Sequence, residues 1–292
     1  FQPFYGTVYS QEDLNRALAS EQPLELVPST DTSGHGTFLA GVAAGRQIQN
    51  PSAFSGAAPD AMLAVVRLKP AKQYLREFFA IPADADAYQE NDIMTAAAFL
   101  LGVAGQYRLP LVLLLGVGTA QGSHSGISPL AMQLQALSGT RGFACVTGAG
   151  NEAGFRHHYP GRLSPDQAYE DVELRVADST AGFSMELWAD VSELYAVGFV
   201  SPSGEVIERI PLAVGQETTV SFQLDATHIF ISYQITEASS GRFLAFLRFT
   251  APAPGIWHIR VYPTLFVAGQ FHIWLPMQGF LTEDTGFLRP DP

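Results

Sequence analysis

From Gly36 to Gly45 the chain reads Gly-Thr-Phe-Leu-Ala-Gly-Val-Ala-Ala-Gly, a helical stretch built almost entirely from small residues. A helix with Gly36, Ala40, Gly41, Ala44 and Gly45 on its packed side has little to bury except its own backbone. Neighbouring backbone must then approach it closely. This predicts a tightly buried helix over 37–45. His35 stands between two glycines at the mouth of that helix, where an imidazole can be held and aimed. Asp31, four residues earlier, reads as a structural carboxylate.

The periodicity of the chain changes near residue 170. Before it, helical patterns alternate with short apolar runs: helices over 10–19, 37–45, 91–105 and 128–138, strands over 61–68, 111–115 and 143–147. Ser10 to Asp13 forms a capping box, Asn91 is placed to cap its helix, and 111–115 reads as a strand buried on both faces. Alternating helix and strand imply an α/β layer with a mostly parallel sheet. After residue 170 the pattern has period two. Nine strands are expected, over 172–176, 184–188, 195–200, 206–210, 218–224, 229–235, 243–249, 256–262 and 271–275. Trp257, Ile259 and Val261 alternate with His258, Arg260 and Tyr262, so one face is dry and the other wet. The second half is therefore an antiparallel sandwich, of jelly-roll type. The expected domains are an α/β part over 1–168 and a β-rich part over 169–292.

Of the 292 residues, 47% are hydrophobic and 15% charged, a composition that buries a core. The net charge of −12 argues against binding to nucleic acid and to anionic membranes. No apolar run approaches a membrane span. The N-terminus, Phe1-Gln-Pro-Phe-Tyr5, is not a signal peptide and lacks a methionine, so the expectation is a chain that starts in mid-protein. Cys145 is the single cysteine and lies in an apolar run, where it reads as a small buried hydrophobe.

Three features carry chemistry. His35 is a candidate general base. Asn151 follows the strand 143–147 and a Gly-Ala-Gly turn, so its side-chain amide can serve as an oxyanion donor. An Asn in a glycine-rich turn is also explained by its tolerance of left-handed backbone; the pairing with the His35 segment favours the functional reading. Gly116, Val117 and Gly118 end the strand 111–115, and small residues there let an extended peptide add as a further strand. Ser123, Ser125 and Ser138 are poor candidates for a nucleophile, since none stands at a helix start. His157 and His158 with Glu152 and Asp166 could be imagined as a metal site, but adjacent histidines usually point apart on a loop, which disfavours it. No metal and no cofactor are implied.

The stretches Asp31 to Gly45, Gly56 to Val66 and Gly148 to Glu152 together resemble the histidine, strand lead-in and oxyanion segments of subtilisin-like serine peptidases. Tyr5 to Tyr9, Leu75 to Phe79, Tyr88 to Met94 and Gln121 to Gly126 narrow the resemblance to the Csp germination proteases of clostridia. Phe38 stands where most subtilases carry a second histidine, Gly116 where serine is usual, and Ala153 where glycine is common.

What the resemblance implies is a partial subtilisin-like α/β domain with an inserted jelly roll, and a serine endopeptidase acting on polypeptides. His35 would be its base, Asn151 its oxyanion donor, and Gly116 to Gly118 its substrate strand. Neither the aspartate segment nor the Gly-Thr-Ser segment is present. The expected partners are therefore a polypeptide substrate and the N- and C-terminal parts of the same protein, and the chain alone should be inactive. A catalytically silent subtilase scaffold used for binding or regulation is the alternative. A third reading makes the β-rich part a binding module for sugars or proteins through its tryptophans.

Overall fold

In a computed structural model of the chain, residues 5–48, 54–213 and 215–290 are described. Phe1 to Phe4 of the N-terminal stretch read above lie outside them. The chain forms two compact units. The first comprises Phe1–Lys69, Tyr88–Val117 and Leu134–Gly148; the second comprises Pro70–Ala87, Gly118–Gln133 and Ala149–Pro292.

In the first unit, α1 (Gln11–Leu18) begins with the expected box. The Ser10 hydroxyl accepts from the Asp13 amide at 3.2 Å, and the Ser10 amide donates to the Asp13 carboxylate at 2.9 Å. A single turn, α2 (Pro23–Leu26), and α3 (His35–Ala44) follow. The 61–68 run is not a strand: it runs unpaired, and Met62, Leu63 and Val65 are exposed. A strand needs a partner ladder, and among the described residues the sheet of this unit consists of two strands that pair with each other.

Those strands are β1 (Leu111–Leu115) and β2 (Phe143–Thr147), parallel, with Leu111 opposite Phe143 and Leu115 opposite Thr147. Because opposite residues share a face, Leu111, Leu113, Leu115, Phe143 and Cys145 point one way. They pack with Ala97 and Leu100 of a long helix, Glu90–Tyr107, and with Leu134 and Leu137. Val112, Leu114 and Val146 point the other way and are 68%, 41% and 49% exposed. Burial of β1 on both faces is thus corrected: its helices gather on one face. Gln89, in extended backbone, is the N-cap of the long helix, and Asn91 lies inside the first turn, where its carbonyl accepts from the Thr95 hydroxyl at 2.8 Å. Counting the short α4 (Gln73–Phe78) of the second unit, the long helix is α5, and α6 spans Pro129–Ser138.

The second unit holds all nine expected strands. They are β4 (Glu170–Val176), β5 (Gly182–Ala189), β6 (Leu194–Val200), β7 (Val206–Ile210), β8 (Glu217–Phe222), β9 (Thr227–Gln234), β10 (Phe243–Thr250), β11 (Gly255–Leu265) and β12 (Gln270–Trp274). Two more, β3 (His158–Arg162) and β13 (Gly286–Phe287), were not expected. Pro160 and Gly161 hide β3, since neither favours a strand. Gly161 is needed there, because a Cβ on it would lie 2.0 Å from the Phe271 ring.

The strands form two antiparallel sheets, ordered β3-β12-β5-β10-β9-β8 and β13-β4-β11-β6-β7. Their inner faces share one core. Trp257, Ile259 and Val261 are fully buried in it, and His258, Arg260 and Tyr262 face outward as the alternation predicts. The outer face of the six-stranded sheet carries a second apolar cluster, Trp188, Leu244 and Phe246, against which Phe79, Phe230 and Trp274 pack. Phe78 stacks on Phe246 at 5.1 Å. The segment after Gly118 is fastened to this face as well. Gln121 donates to the Ser184 hydroxyl at 2.9 Å, the Gly122 amide to Glu186 at 2.7 Å, and the His124 ring stacks on Trp274 at 4.0 Å.

Candidate functional site

Gly34 is the N-cap of α3, with φ of +78°, a conformation open to glycine at little cost. Having no side chain, it cannot cap. Asp31 does so from three residues back: one oxygen accepts from the Gly34 amide at 2.9 Å and the Ser33 amide at 3.2 Å, the other from the Thr37 amide and hydroxyl, both at 2.8 Å. The Thr37 amide above all, then the Thr37 hydroxyl and the Gly34 amide, hold the Asp31 carboxyl well below the usual carboxylate range.

His35 thus opens the helix on a braced turn. Its Nε2 lies 2.8 Å from the carbonyl oxygen of Gly116, just past the end of β1. A carbonyl only accepts, so Nε2 carries the proton in this arrangement. The approach depends on Gly116: a Cβ there would stand 2.1 Å from Leu39 Cδ1 and 3.3 Å from His35 Nε2.

The small residues of α3 do not serve a buried helix. None of its residues is fully buried, and Phe38 is 67% exposed. Their use is at the C-terminal end. The amides of Gly56, Ala57 and Ala58 donate to the carbonyls of Gly45, Val42 and Ala43 at 2.7, 3.0 and 2.9 Å, satisfying groups that a helix end leaves open. A Cβ on Gly56 would lie 2.4 Å from the Gly45 nitrogen. Close backbone approach is therefore present, over one turn rather than the whole helix.

Val117 is the last residue of one stretch of the first unit, and Gly118 is the first of a stretch that belongs to the second. Asn151 is exposed and belongs to the second unit, after the turn Gly148-Ala149-Gly150, in which Gly150 has φ of +87°. The structure joins His35 to Gly116. The next residue along from Asn151, Glu152, is better anchored than the sequence suggested. Its Oε2 accepts from the Gln278 amide at 2.9 Å and lies 2.9 Å from His157 Nδ1. His158 turns elsewhere, with Nε2 at 2.9 Å from His272 Nδ1. An acid five residues before a histidine, across a glycine turn, was the signal for the first pair. Among the described residues, no three His, Cys, Asp or Glu side chains are grouped to hold a metal. None of the described helices is long and apolar enough to cross a membrane.

Ser123 and Ser125 bond to each other at 2.7 Å, and Ser138 donates to the Leu134 carbonyl at 2.8 Å. Burial, more than the field of Arg242, pushes His124 below the ordinary imidazole pKa. Burial also raises the thiol pKa of Cys145.

No family model matches the chain, and no curated protein matches it. Among solved structures it is similar to the CspB protease of Clostridium perfringens, with a TM-score of 0.82 and 26% sequence identity over 98% of this chain. The match covers 57% of the CspB chain, so this chain spans little more than half of that protein. The chain is thus similar in fold to the CspB protease, which supports a β-rich, subtilase-like structure.

Proposed function

We propose that this chain is the central part of a subtilisin-like serine endopeptidase of Csp type. The observation that carries the reading is the position of His35, on a braced helix start and in contact with Gly116 at the carboxyl end of a parallel strand. In the intact protein His35 takes the proton from a serine hydroxyl as that oxygen attacks the peptide carbonyl, then returns it to the leaving amine. The side-chain amide of Asn151 donates to the oxyanion. Gly116 to Gly118 pair with the extended substrate. The β-sandwich is read as a jelly roll inserted between Asn151 and the nucleophile. Serine and aspartate come from other parts of the same protein, which also cover the open face of β1 and β2.

On this reading the isolated chain is inactive, and the bond from His35 to Gly116 supports that. A nitrogen that donates to a carbonyl cannot accept a proton, so Nε2 must leave Gly116, and Nδ1 must be oriented by an acid, before His35 works as a base. The same bond favours the second reading, a silent scaffold, if it persists in the whole protein. Fluorophosphonate labelling of the full-length protein and its His35→Ala variant decides between them. Labelling that requires His35 supports the peptidase; a folded full-length protein that stays unlabelled overturns it.

A further inference from the structure

We propose that Glu152 is a positioning residue for Asn151, acting through a clasp that ties the chain entering the sandwich to the chain leaving it. The inference rests on the oxyanion role proposed for Asn151.

Asn151 stands in backbone that has little stiffness of its own. Gly150 and Gly154 both have positive φ, +87° and +85°, and the side chain of Asn151 is exposed. An oxyanion donor must nevertheless be held within about 0.5 Å of its working position. The bracing begins at the adjacent residue. One oxygen of Glu152, Oε2, receives the Gln278 amide and the His157 ring, each at 2.9 Å. As an acceptor facing Nδ1, it requires the proton on that nitrogen. His157 is itself buried, and its carbonyl accepts from the Leu275 amide at 2.9 Å. The Arg156 carbonyl accepts from the Phe287 amide at 2.9 Å. A Cβ on Gly286 would come within 3.1 Å of Arg156, so the two segments lie close. Within the turn, the Phe155 amide donates to the Glu152 carbonyl at 3.1 Å.

Residues 152–158 are thus stitched to residues 275–287 by backbone bonds at their far end and by the Glu152 carboxylate at the end beside Asn151. Only the last of these bears directly on where Asn151 points. Without it the turn between two glycines is tied at one side only.

The test uses the full-length protein and hydrolysis of a tetrapeptide para-nitroanilide. Asn151→Ala is expected to lower kcat by roughly 10²–10³-fold. Glu152→Ala and His157→Ala should each lower kcat roughly tenfold or more with KM within about twofold, as misplacement of a reacting group does. Glu152→Gln keeps an oxygen that can accept both donors and should stay within about threefold of the parent. The Ala/Ala double variant should be no worse than the poorer single one, since both remove one unit. Melting curves show that each variant is folded at the assay temperature; if Glu152→Ala is not, His157→Phe, which fills the site but has no side-chain donor for Glu152, takes its place. A Glu152→Ala enzyme with parental kcat, beside an impaired Asn151→Ala enzyme, overturns the positioning role alone. So does a raised KM at unchanged kcat, which would make Glu152 a substrate contact. An unimpaired Asn151→Ala enzyme overturns the oxyanion reading beneath it.

Discussion

The amide and the hydroxyl of Thr37 both donate to the same oxygen of Asp31, six residues earlier, each at 2.8 Å. His35 lies inside the loop so closed. Replacing Asp31 with Ala should therefore lower the melting temperature and loosen His35 together. The pH dependence follows from the direction of the shift. A carboxyl whose pKa is depressed on folding stabilises the fold above its unfolded value, here 3.8, and loses that contribution as pH falls through its lower folded value. The gap in melting temperature between parent and Asp31→Ala should be full at neutral pH and shrink below about pH 4. A gap unchanged down to pH 2 would mean that the ionised cap contributes nothing.

Gly116→Ala tests the closeness of β1's end to α3. The added methyl would stand 2.1 Å from Leu39 Cδ1. Leu39 is a half-buried side chain and can yield in part, so the cost should be that of mild overpacking, about 1–3 kcal/mol. The methyl also lies 3.3 Å from His35 Nε2, and the contact with the Gly116 carbonyl should weaken. Nitrogen NMR of the imidazole reads this directly: the parent should show a protonated Nε2 and the variant a mixture of tautomers.

The sandwich was legible because its strands are short runs rich in β-branched and aromatic residues between turn signals, and because Trp257 to Tyr262 alternate without a break, although β5, β6 and β10 are buried almost throughout. β3 escaped because Pro160 and Gly161 belong to it for a reason that only the fold supplies, the ring of Phe271 beneath Gly161. The α/β part was legible in its helices and in β1 and β2, where the apolar runs are strong. It misled wherever burial was inferred from composition. The run at 61–68 is apolar yet unpaired, and the small residues of α3 serve one close contact with Gly56 rather than a buried helix. At the candidate site, His35 and Gly116 were both named from sequence, yet the bond between them, 81 residues apart, was not. Glu152 and His157 entered the sequence reading only as an unfavoured metal site; that one Glu152 oxygen meets both His157 and the Gln278 amide needed the fold.

Glu186 offers a prediction of opposite sign. It is buried on the outer face of the six-stranded sheet, and burial raises its pKa although the Gly122 amide and the Trp188 indole both donate to it. A carboxyl with a raised folded pKa contributes fully below its unfolded value, 4.5, and that contribution is lost as pH rises through the folded one. Glu186→Gln keeps an oxygen for both donors and removes the ionisation. The variant should melt a few degrees above the parent at neutral pH, with the difference closing below about pH 4.5. A variant that is less stable at every pH would show that the charge is favourable where it sits.

Trp257 is fully buried, donates to the Ala253 carbonyl at 2.9 Å, and meets Phe222 and Phe249 edge-on at 5.0 and 5.6 Å. Trp188 is buried too, and Trp274 is covered by the rings of His124 and His158. Core packing is the better account of these tryptophans than sugar binding. Trp257→Ala should cost about 3–5 kcal/mol in denaturant unfolding. Parent protein on a glycan array should give no signal that depends on Trp188 or Trp274.

Val112, Leu114 and Val146 line the open face of β1 and β2, three apolar side chains together where a parallel sheet is ordinarily covered on both sides. Such a patch marks a place where something else docks. Expressed alone, the chain should bind a hydrophobic dye such as ANS and self-associate as its concentration rises. Val112→Thr with Val146→Thr keeps the branched shape that a strand favours and makes the face polar. Because both side chains are exposed, the change in stability should stay within roughly 0.5 kcal/mol each, while dye binding and light scattering both fall. A chain that binds no dye, or binds it equally after the two substitutions, would show that this face is not the sticky one. The same substitutions in the full-length protein should behave differently. If the remaining segments cover this face, as the proposed function requires, they place two hydroxyls in a dry interface, and the melting temperature should drop where that of the isolated chain does not.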